Sequence, residues 1–371
     1  MKVLIDLTYI SSNHVAGVDN YAFRLLNGIV KCHCQDSFIL LLTSTNKKLV
    51  NMRLPQFEFI TYNSYPISYI RGWLNKRRIN DLIRKRKISL FFSPFISHSC
   101  LYTTSVPYIG VLHDAQGFEL IKNPFKQFLY NVFTKHILNK TVRLVTISEY
   151  SKRDIQRKLG NFDIPITVIY NSIEIERTRV FNRENHKRPY ILNVNTLEPY
   201  KNLITLIEAF NLIKDIIPHQ LIIKASVLPY WYEVIEPFLR EHGLQERVQL
   251  ISDNFSEQEM ANLYSNADLF VSPSLMEGFG YTPIEAALYQ VPVICSKESA
   301  LYETTMGLLN YYEPATDIVA LKNAILNVLD NPPINLKDIA QKFVDKYSQE
   351  KQVEQFVRLF ESVLLESKNQ C

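Results

Sequence analysis

Short apolar runs rich in Ile, Leu, Val and Phe recur at 2–7, 37–43, 57–61, 88–92, 107–112, 142–147 and 166–169. They are continuous rather than alternating, which is the pattern of strands buried on both faces in a parallel sheet. Between several of them lie stretches with helical apolar spacing, at 19–31, 68–87, 125–139 and 148–159, the last with Ser148 placed to cap it. The rhythm breaks at 173–188, which is polar and charged with no sustained apolar period. It restarts with strand-like runs at 190–194, 221–224, 248–251, 268–271 and 291–295, with helices between them. After Asn331-Pro332-Pro333 the chain reads as helical to its end. Strands alternating with helices predict an α/β protein of doubly wound parallel sheets. The expected division is a domain at 1–172, a linker at 173–188, a second domain at 189–349 and a last helix at 350–371.

The stretch after the run 268–271 carries the clearest chemistry. It reads Ser272-Pro273-Ser274-Leu275-Met276-Glu277-Gly278-Phe279-Gly280-Tyr281-Thr282-Pro283-Ile284-Glu285. A buried strand leads into a loop with two glycines and then into a helix. Thr282 as N-cap, Pro283 at the first helical position and Glu285 three residues after the cap would form a capping box. A strand, a glycine loop and a helix N-terminus together favour an anion, because free N–H groups and the positive end of the helix dipole converge there. Glu277 and Glu285 add two carboxylates. An anion site flanked by carboxylates suits a ligand with both phosphates and hydroxyls, as in a nucleotide-sugar. The plainer alternative is that Glu285 only caps the helix and the glycines only make the turn.

Composition narrows the picture. The 371 residues suffice for two domains of ordinary size, and 47% hydrophobic residues support sizeable cores. A net charge of +4 is too mild to point to nucleic acid. Cys32, Cys34, Cys100, Cys295 and Cys371 are odd in number and scattered, which fits reduced thiols in a cytoplasmic protein rather than a disulfide framework. Cys32-His33-Cys34 lacks the spacing of a zinc site. Asp6 interrupts the first apolar run, so it does not read as a signal peptide, and no stretch approaches the ~20 apolar residues of a membrane span. Charge is concentrated in one place. Eight cations stand between Arg71 and Lys87 against the single acid Asp81, interleaved with Trp73, Leu74, Ile79, Leu82 and Ile83. This stretch is either a solvated helix face or a contact with an anionic membrane surface.

Several motifs, taken together and in order, resemble the retaining glycosyltransferases of family 4, which have the two-Rossmann GT-B fold. Gly17-Val18-Asp19-Asn20-Tyr21 resembles that family's glycine loop, and Val111-Leu112-His113-Asp114 its histidine-aspartate strand end. Thr146-Ile147-Ser148-Glu149-Tyr150-Ser151-Lys152 is similar to its serine-glutamate helix start. Leu197-Glu198-Pro199-Tyr200-Lys201-Asn202-Leu203 is similar to its diphosphate-binding segment, and 277–285 to its paired-glutamate motif. The resemblance covers nearly the whole chain. It implies two Rossmann-like domains facing a cleft, with the acceptor side in the N-terminal domain, the nucleotide-sugar in the C-terminal one, and the last helix returning to the N-terminal domain.

The resemblance also implies residue roles. Glu285 would accept hydrogen bonds from the ribose, and Gly278, Phe279 and Gly280 would offer backbone contacts to sugar and diphosphate. Lys201 would neutralise the diphosphate, with Asn195, Thr196 and Gly17 also on the donor. Glu277 would lie beside the transferred sugar, and His113 would face sugar and acceptor. The acceptor would be lipid-linked or a saccharide, reached by the loops 46–68 and 96–105, in the assembly of a surface polysaccharide. The site would be cytoplasmic, with 71–87 against the inner face of the membrane. The chain departs from the family's pattern in carrying Ser172, Asn195 and Gln290 where glycine is usual. It also carries Thr196 and Tyr200 where a basic residue often accompanies the lysine. No Asp-x-Asp occurs, so no metal or other cofactor is expected. Retention by a covalent Glu277 intermediate or by front-face attack both remain open. So do a nucleotide-sugar epimerase of the same fold and a scaffold that no longer turns over.

Overall fold

The structure is a computed structural model that describes residues 1–11, 17–62, 68–96, 104–121, 123–160, 163–174 and 188–369. The chain divides into two compact units. The first comprises Met1–Glu174 with Tyr347–Cys371, and the second Ile175–Lys346. Of the linker expected at 173–188, residues 175–187 lie outside the described residues, as do 63–67 and 97–103 of the two expected acceptor-side loops.

The first unit is built on a parallel sheet of β1 (Val3–Asp6), β2 (Phe38–Thr43), β3 (Glu58–Tyr62), β4 (Leu90–Ser93), β5 (Tyr108–Val111), β6 (Arg143–Thr146) and β7 (Ile166–Val168). The strand order is β3-β2-β1-β4-β5-β6-β7, so the chain reverses its outward direction between β1 and β4. Residues on alternate positions face opposite layers. Leu4, Ile39, Leu41 and Phe91 pack with Ile79 and Ile83 of the helix Ser68–Arg86, and with Ile137 and Leu138 of the helix Pro124–Leu138. On the other face, Ile5, Phe38 and Phe92 meet Leu25 and Ile29 of the helix Gly17–Lys31 and Val353, Phe356 and Phe360 of the helix Gln349–Asn369. The last helix therefore supplies core to the unit that opens the chain. Phe92 lies with its ring centroid 5.1 Å from both Phe356 and Phe360. Gly28 allows the first and last helices to approach, because a Cβ there would lie 2.9 Å from Val353 Cγ2. Buried glutamines fasten the return: Gln349 Nε2 donates to Arg24 O at 3.0 Å and Gln352 Nε2 to Tyr170 O at 3.0 Å.

The second unit repeats the plan with β8 (Tyr190–Val194), β9 (Gln220–Lys224), β10 (Val248–Ile251), β11 (Leu269–Ser272), β12 (Val293–Ser296) and β13 (Asn310–Tyr312). Its order, β10-β9-β8-β11-β12-β13, reverses between β8 and β11. All recorded pairings in both sheets are parallel. Several elements escaped the sequence pattern, among them the helix Ile318–Asp330, β13 and the helix Lys47–Arg53. β13 is only Asn-Tyr-Tyr, and its pairing with β12 rather than its own hydrophobicity makes it a strand. The helix Lys47–Arg53 buries Val50 alone, too little for an apolar period to show.

Phe356 is 2% exposed, and its loss leaves a cavity between the last helix and β4. Phe356→Ala should destabilise the first unit by about 3–5 kcal/mol. A lowered unfolding midpoint for that unit in urea checks this. A midpoint equal to wild type would mean that the helix adds no core.

Candidate active site

The segments leaving β8 and β11 are adjacent because these strands pair at the centre of the second sheet. The first carries Asn195, Thr196, Tyr200 and Lys201, and the second Glu277 to Gly280. Side chains and backbone lace the two together. Leu275 N donates to Tyr200 O at 2.9 Å. Asn202 Nδ2 donates to Pro273 O at 3.1 Å and to Ala315 O at 2.9 Å, while its Oδ1 accepts from Thr205 Oγ1 at 2.8 Å. Asn202 adopts φ 56°, ψ 33°, a left-handed conformation that Asn tolerates better than most residues. This residue lay inside the diphosphate motif but had no role assigned to it. Its task is to turn the chain from Lys201 into the helix Leu203–Asn211 while filling its own hydrogen-bond capacity.

Lys201 and Glu277 meet. Lys201 Nζ donates to Glu277 Oε1 at 2.7 Å, with side chains only 13% and 12% exposed. The ammonium also lies 5.2 Å from the Tyr200 ring centroid. Burial raises the Tyr200 hydroxyl above its usual range, with Lys201 and a hydrogen bond to Thr196 acting the other way. Thr196 itself is exposed. Glu277 is held from behind by the loop after β12. Its backbone N donates to Ser299 Oγ at 2.9 Å, and its carbonyl accepts from Ala300 N at 3.3 Å. Ser299, at φ 54°, was not singled out in the sequence, and no motif marks it.

The glycine loop enters its helix earlier than the sequence suggested. The helix is Tyr281–Leu288 and its N-cap is Gly280 at φ 80°, not Thr282. A Cβ on Gly280 would sit 2.5 Å from Leu301 Cδ2, so both the backbone angle and the packing require glycine. Gly280 has no side chain with which to cap, and the positive end of the helix dipole is left open to an anion. The capping-box reading of Glu285 therefore fails. Glu285 is the fifth residue of the helix, two positions past the one that reaches back in a capping box, and Tyr264 donates its hydroxyl to Glu285 Oε2 at 3.2 Å. Phe279 is buried, and its carbonyl accepts from Thr304 Oγ1 at 2.5 Å. Gly278 is buried between Glu277 and Phe279. Asn195 does not take the left-handed angle that would explain an exchange with glycine, whereas Gln290 does, at φ 59°. Three buried polar atoms without a protein partner, Asn195 Nδ2, Ser272 Oγ and Ser274 Oγ, belong to this pair of segments. Such atoms gather where water or a polar ligand completes them.

In the first unit, Gly17 opens the helix Gly17–Lys31, and a Cβ on it would meet nothing within 4 Å. Packing does not demand glycine there, and residues 12–16 lie outside the described residues. His113 follows β5 and is 8% exposed. Its Nε2 lies 3.0 Å from Pro94 O. A carbonyl only accepts, so Nε2 carries the proton and Nδ1 is the acceptor. Its ring stands edge-on to Tyr21, with centroids 4.5 Å apart, and 6.0 Å from Phe95. Burial lowers its pKa to about 4, only partly opposed by the Pro94 bond. At neutral pH it is a neutral hydrogen-bonding group rather than a proton donor. Ser148 caps the helix Glu149–Leu159 by accepting from Ser151 N at 3.0 Å. No cluster of three or more His, Cys, Asp or Glu placed to hold a metal occurs among the described residues.

Two doubly wound parallel sheets, one with a glycine loop and a buried lysine–glutamate pair at its switch point, have the architecture of the GT-B fold. Sequence comparison agrees. The profile described as Glycosyltransferase Family 4 matches residues 15–177, and that described as Glycosyl transferases group 1 matches residues 174–347. The chain belongs to the group 1 glycosyl transferases. It is 28% identical over 222 residues to the O-antigen chain mannosyltransferase RfbU of Salmonella typhimurium, covering 60% of each chain. The match thus spans about three-fifths of that relative's length. It is 22% identical over 316 residues to the UDP-Gal:alpha-D-GlcNAc-diphosphoundecaprenol alpha-1,3-galactosyltransferase of Escherichia coli, covering 79% of this chain and 80% of that one. The crystal structure of HepE from Anabaena in complex with UDP superposes with a TM-score of 0.73 at 16% identity, over 98% of this chain and 100% of that one.

The neutral state of His113 has a consequence for stability. The unfolded chain takes up a proton near the ordinary value of 6.5, and the folded chain only near 4. Stability is therefore full above about pH 6.5 and falls as pH drops toward 4, by on the order of 3 kcal/mol. Urea unfolding of wild type and His113→Gln at about pH 7.5 and about pH 4.5 checks this. The variant should lose less on acidification. Equal losses would show that His113 is not buried in its neutral form.

Proposed function

We propose that the chain is a retaining, metal-independent glycosyltransferase. It moves a sugar from a nucleotide-sugar donor to a lipid-linked or saccharide acceptor during assembly of a surface polysaccharide. The observation that carries this reading is the Lys201–Glu277 pair at the switch point, with the open N-terminus of the helix Tyr281–Leu288 in the same loop and Glu285 within it. Open α/β sheets bind ligands at such points. Breaking the sugar–phosphate bond builds negative charge on the leaving diphosphate. Lys201 and the helix N-terminus, both fixed before substrate arrives, are suited to stabilise it without a metal. The absence of any Asp-x-Asp pair from the sequence fits this assignment.

Glu285 would receive the ribose hydroxyls, and the Tyr264 hydroxyl on its Oε2 supports a fixed carboxylate there. The backbone of Gly278, Phe279 and Gly280 would line the donor side with Asn195 and Thr196, all in the second unit. Glu277 already holds a cation at 2.7 Å, which favours a role in positioning Lys201 and the sugar over that of a free nucleophile. We therefore favour front-face attack, in which the leaving diphosphate itself takes the proton of the incoming hydroxyl. His113 would act through its Nδ1 as a neutral acceptor for a sugar or acceptor hydroxyl. The relatives that match are named as O-antigen and lipid-diphosphate sugar transferases, which supports a polysaccharide acceptor. No described helix is long and apolar enough to cross a membrane. The helix Ser68–Arg86 exposes Arg77, Arg78, Arg84, Lys85 and Arg86, and we assign it to the anionic cytoplasmic face of the membrane, where a lipid-linked acceptor is presented.

A thermal-shift screen with UDP- and GDP-sugars tests the donor assignment, since a ligand that binds only the folded state raises its Tm. For the nucleoside diphosphate that binds, Glu285→Gln should weaken affinity roughly 10- to 100-fold by calorimetry with near-normal stability, through loss of a charged acceptor. Lys201→Ala should weaken the diphosphate but not the bare nucleoside. It should also lower Tm, because it strands the buried Glu277 carboxylate. No stabilisation by any nucleotide-sugar, and no hydrolysis of them, would sink the reading.

A further inference from the structure

The helix Pro124–Leu138 leads from β5 to β6 and needs one apolar face to cover the sheet. That face is Thr134, Ile137 and Leu138. Ile137 and Leu138 share one core cluster with Ile79 and Ile83 of the helix Ser68–Arg86, so the two helices cover the same face of the first sheet. The helix Pro124–Leu138 carries a second apolar stripe. Phe125, Phe128 and Val132 recur at i, i+3 and i+7 and are 69%, 62% and 45% exposed. On a helical wheel they point away from the buried residues, with exposed Lys126, Lys135 and His136 around them. Two phenylalanines in one exposed row are not explained by coverage of the sheet, and contiguous apolar surface of this kind marks an interaction site. The neighbouring helix turns Arg77, Arg78, Arg84 and Lys85 outward, opposite its own buried Ile79 and Ile83. Arg84 is shared with Asp81, and Arg86 with Glu58 at 2.7 Å.

We propose that these two helices form one membrane-docking surface. Phe125, Phe128 and Val132 enter the boundary between headgroups and acyl chains of an anionic bilayer, and the cations of both helices bind its lipid phosphates. An apolar row set among cations is the pattern of an interfacial helix, in which burial of rings and attraction to anionic lipid act together. The inference rests on the membrane assignment above and deepens it. A contact through the basic helix alone is screened by salt. A contact that also inserts aromatic rings keeps a component that salt does not remove.

The test is co-sedimentation of the full chain with vesicles of phosphatidylcholine, alone or with phosphatidylglycerol, at low and high salt. Wild type should bind the anionic vesicles and retain part of that binding at high salt. Phe125→Ser with Phe128→Ser should lower binding roughly 10- to 100-fold and remove the salt-resistant part. Tm and donor hydrolysis should not change, since both rings are exposed and lie outside the donor site. Charge reversal of Arg84, Lys85 and Arg86 to Glu should abolish the salt-sensitive part. Binding by the double phenylalanine variant equal to wild type at both salts would overturn this inference and leave the basic-helix contact standing. Failure of wild type to bind either vesicle would overturn both. A dimer that the double variant converts to monomer in sedimentation equilibrium, with vesicle binding unchanged, would assign the stripe to a second copy of the chain and also overturn the inference.

Discussion

A parallel sheet whose strand order runs outward in both directions from its middle must part the connections that leave its two central strands. One goes to the left and the other to the right, and the space between them is filled by whatever the two loops carry. The second sheet meets this constraint at β8 and β11. Everything that gives the candidate site its chemistry hangs from those two strand ends. Lys201 comes from one and Glu277 from the other, and they close the gap with a 2.7 Å ion pair. A pair this buried contributes only if its geometry is held. The surrounding contacts fix the backbone on both sides of it, through the Asn202 bridge to Pro273 and Ala315 and the Ser299 hydroxyl that accepts from Glu277 N.

The same constraint acts at β1 and β4 of the first sheet with a different outcome. There the loop ends are occupied by rings. Tyr9 and Phe95 lie 5.3 Å apart, and Tyr21 and Phe95 flank His113. An aromatic cradle desolvates the imidazole and holds it neutral, with Pro94 O fixing which nitrogen bears the proton. One switch point holds a buried ion pair and the other a neutral imidazole among rings.

The helix Gln349–Asn369 couples this arrangement to the length of the chain. It buries Val353, Phe356 and Phe360 against β1, β2 and β4, beneath the loop ends that carry His113's neighbours. On the opposite face of that sheet the helices Ser68–Arg86 and Pro124–Leu138 leave cations and exposed phenylalanines outward. The first unit thus has one face sealed by its own C-terminus and one face available to a surface.

The sequence by itself determined every strand but β13, because continuous apolar runs bounded by polar loops are satisfied in a sheet covered on both sides. It determined the two repeats of the α/β plan for the same reason. It also marked Glu277, Gly280 and Glu285, since a glycine loop with two carboxylates stands out after an apolar run, whereas His113 and Lys201 drew notice through the resemblance to a family's motifs. It could not decide where the helix after Gly280 begins, because a left-handed glycine pressed against Leu301 and a capping threonine two residues on are equally legible locally. It could not show that Lys201 and Glu277 touch, that Ser299 and Asn202 hold them, or that burial makes His113 neutral. Those are properties of side chains brought together from distant segments by strand order, and strand order depends on packing across the whole sheet. The outward stripe of Phe125, Phe128 and Val132 was hidden in the same way. A helix apolar on two sides has little net periodicity, and only the structure tells which side is covered.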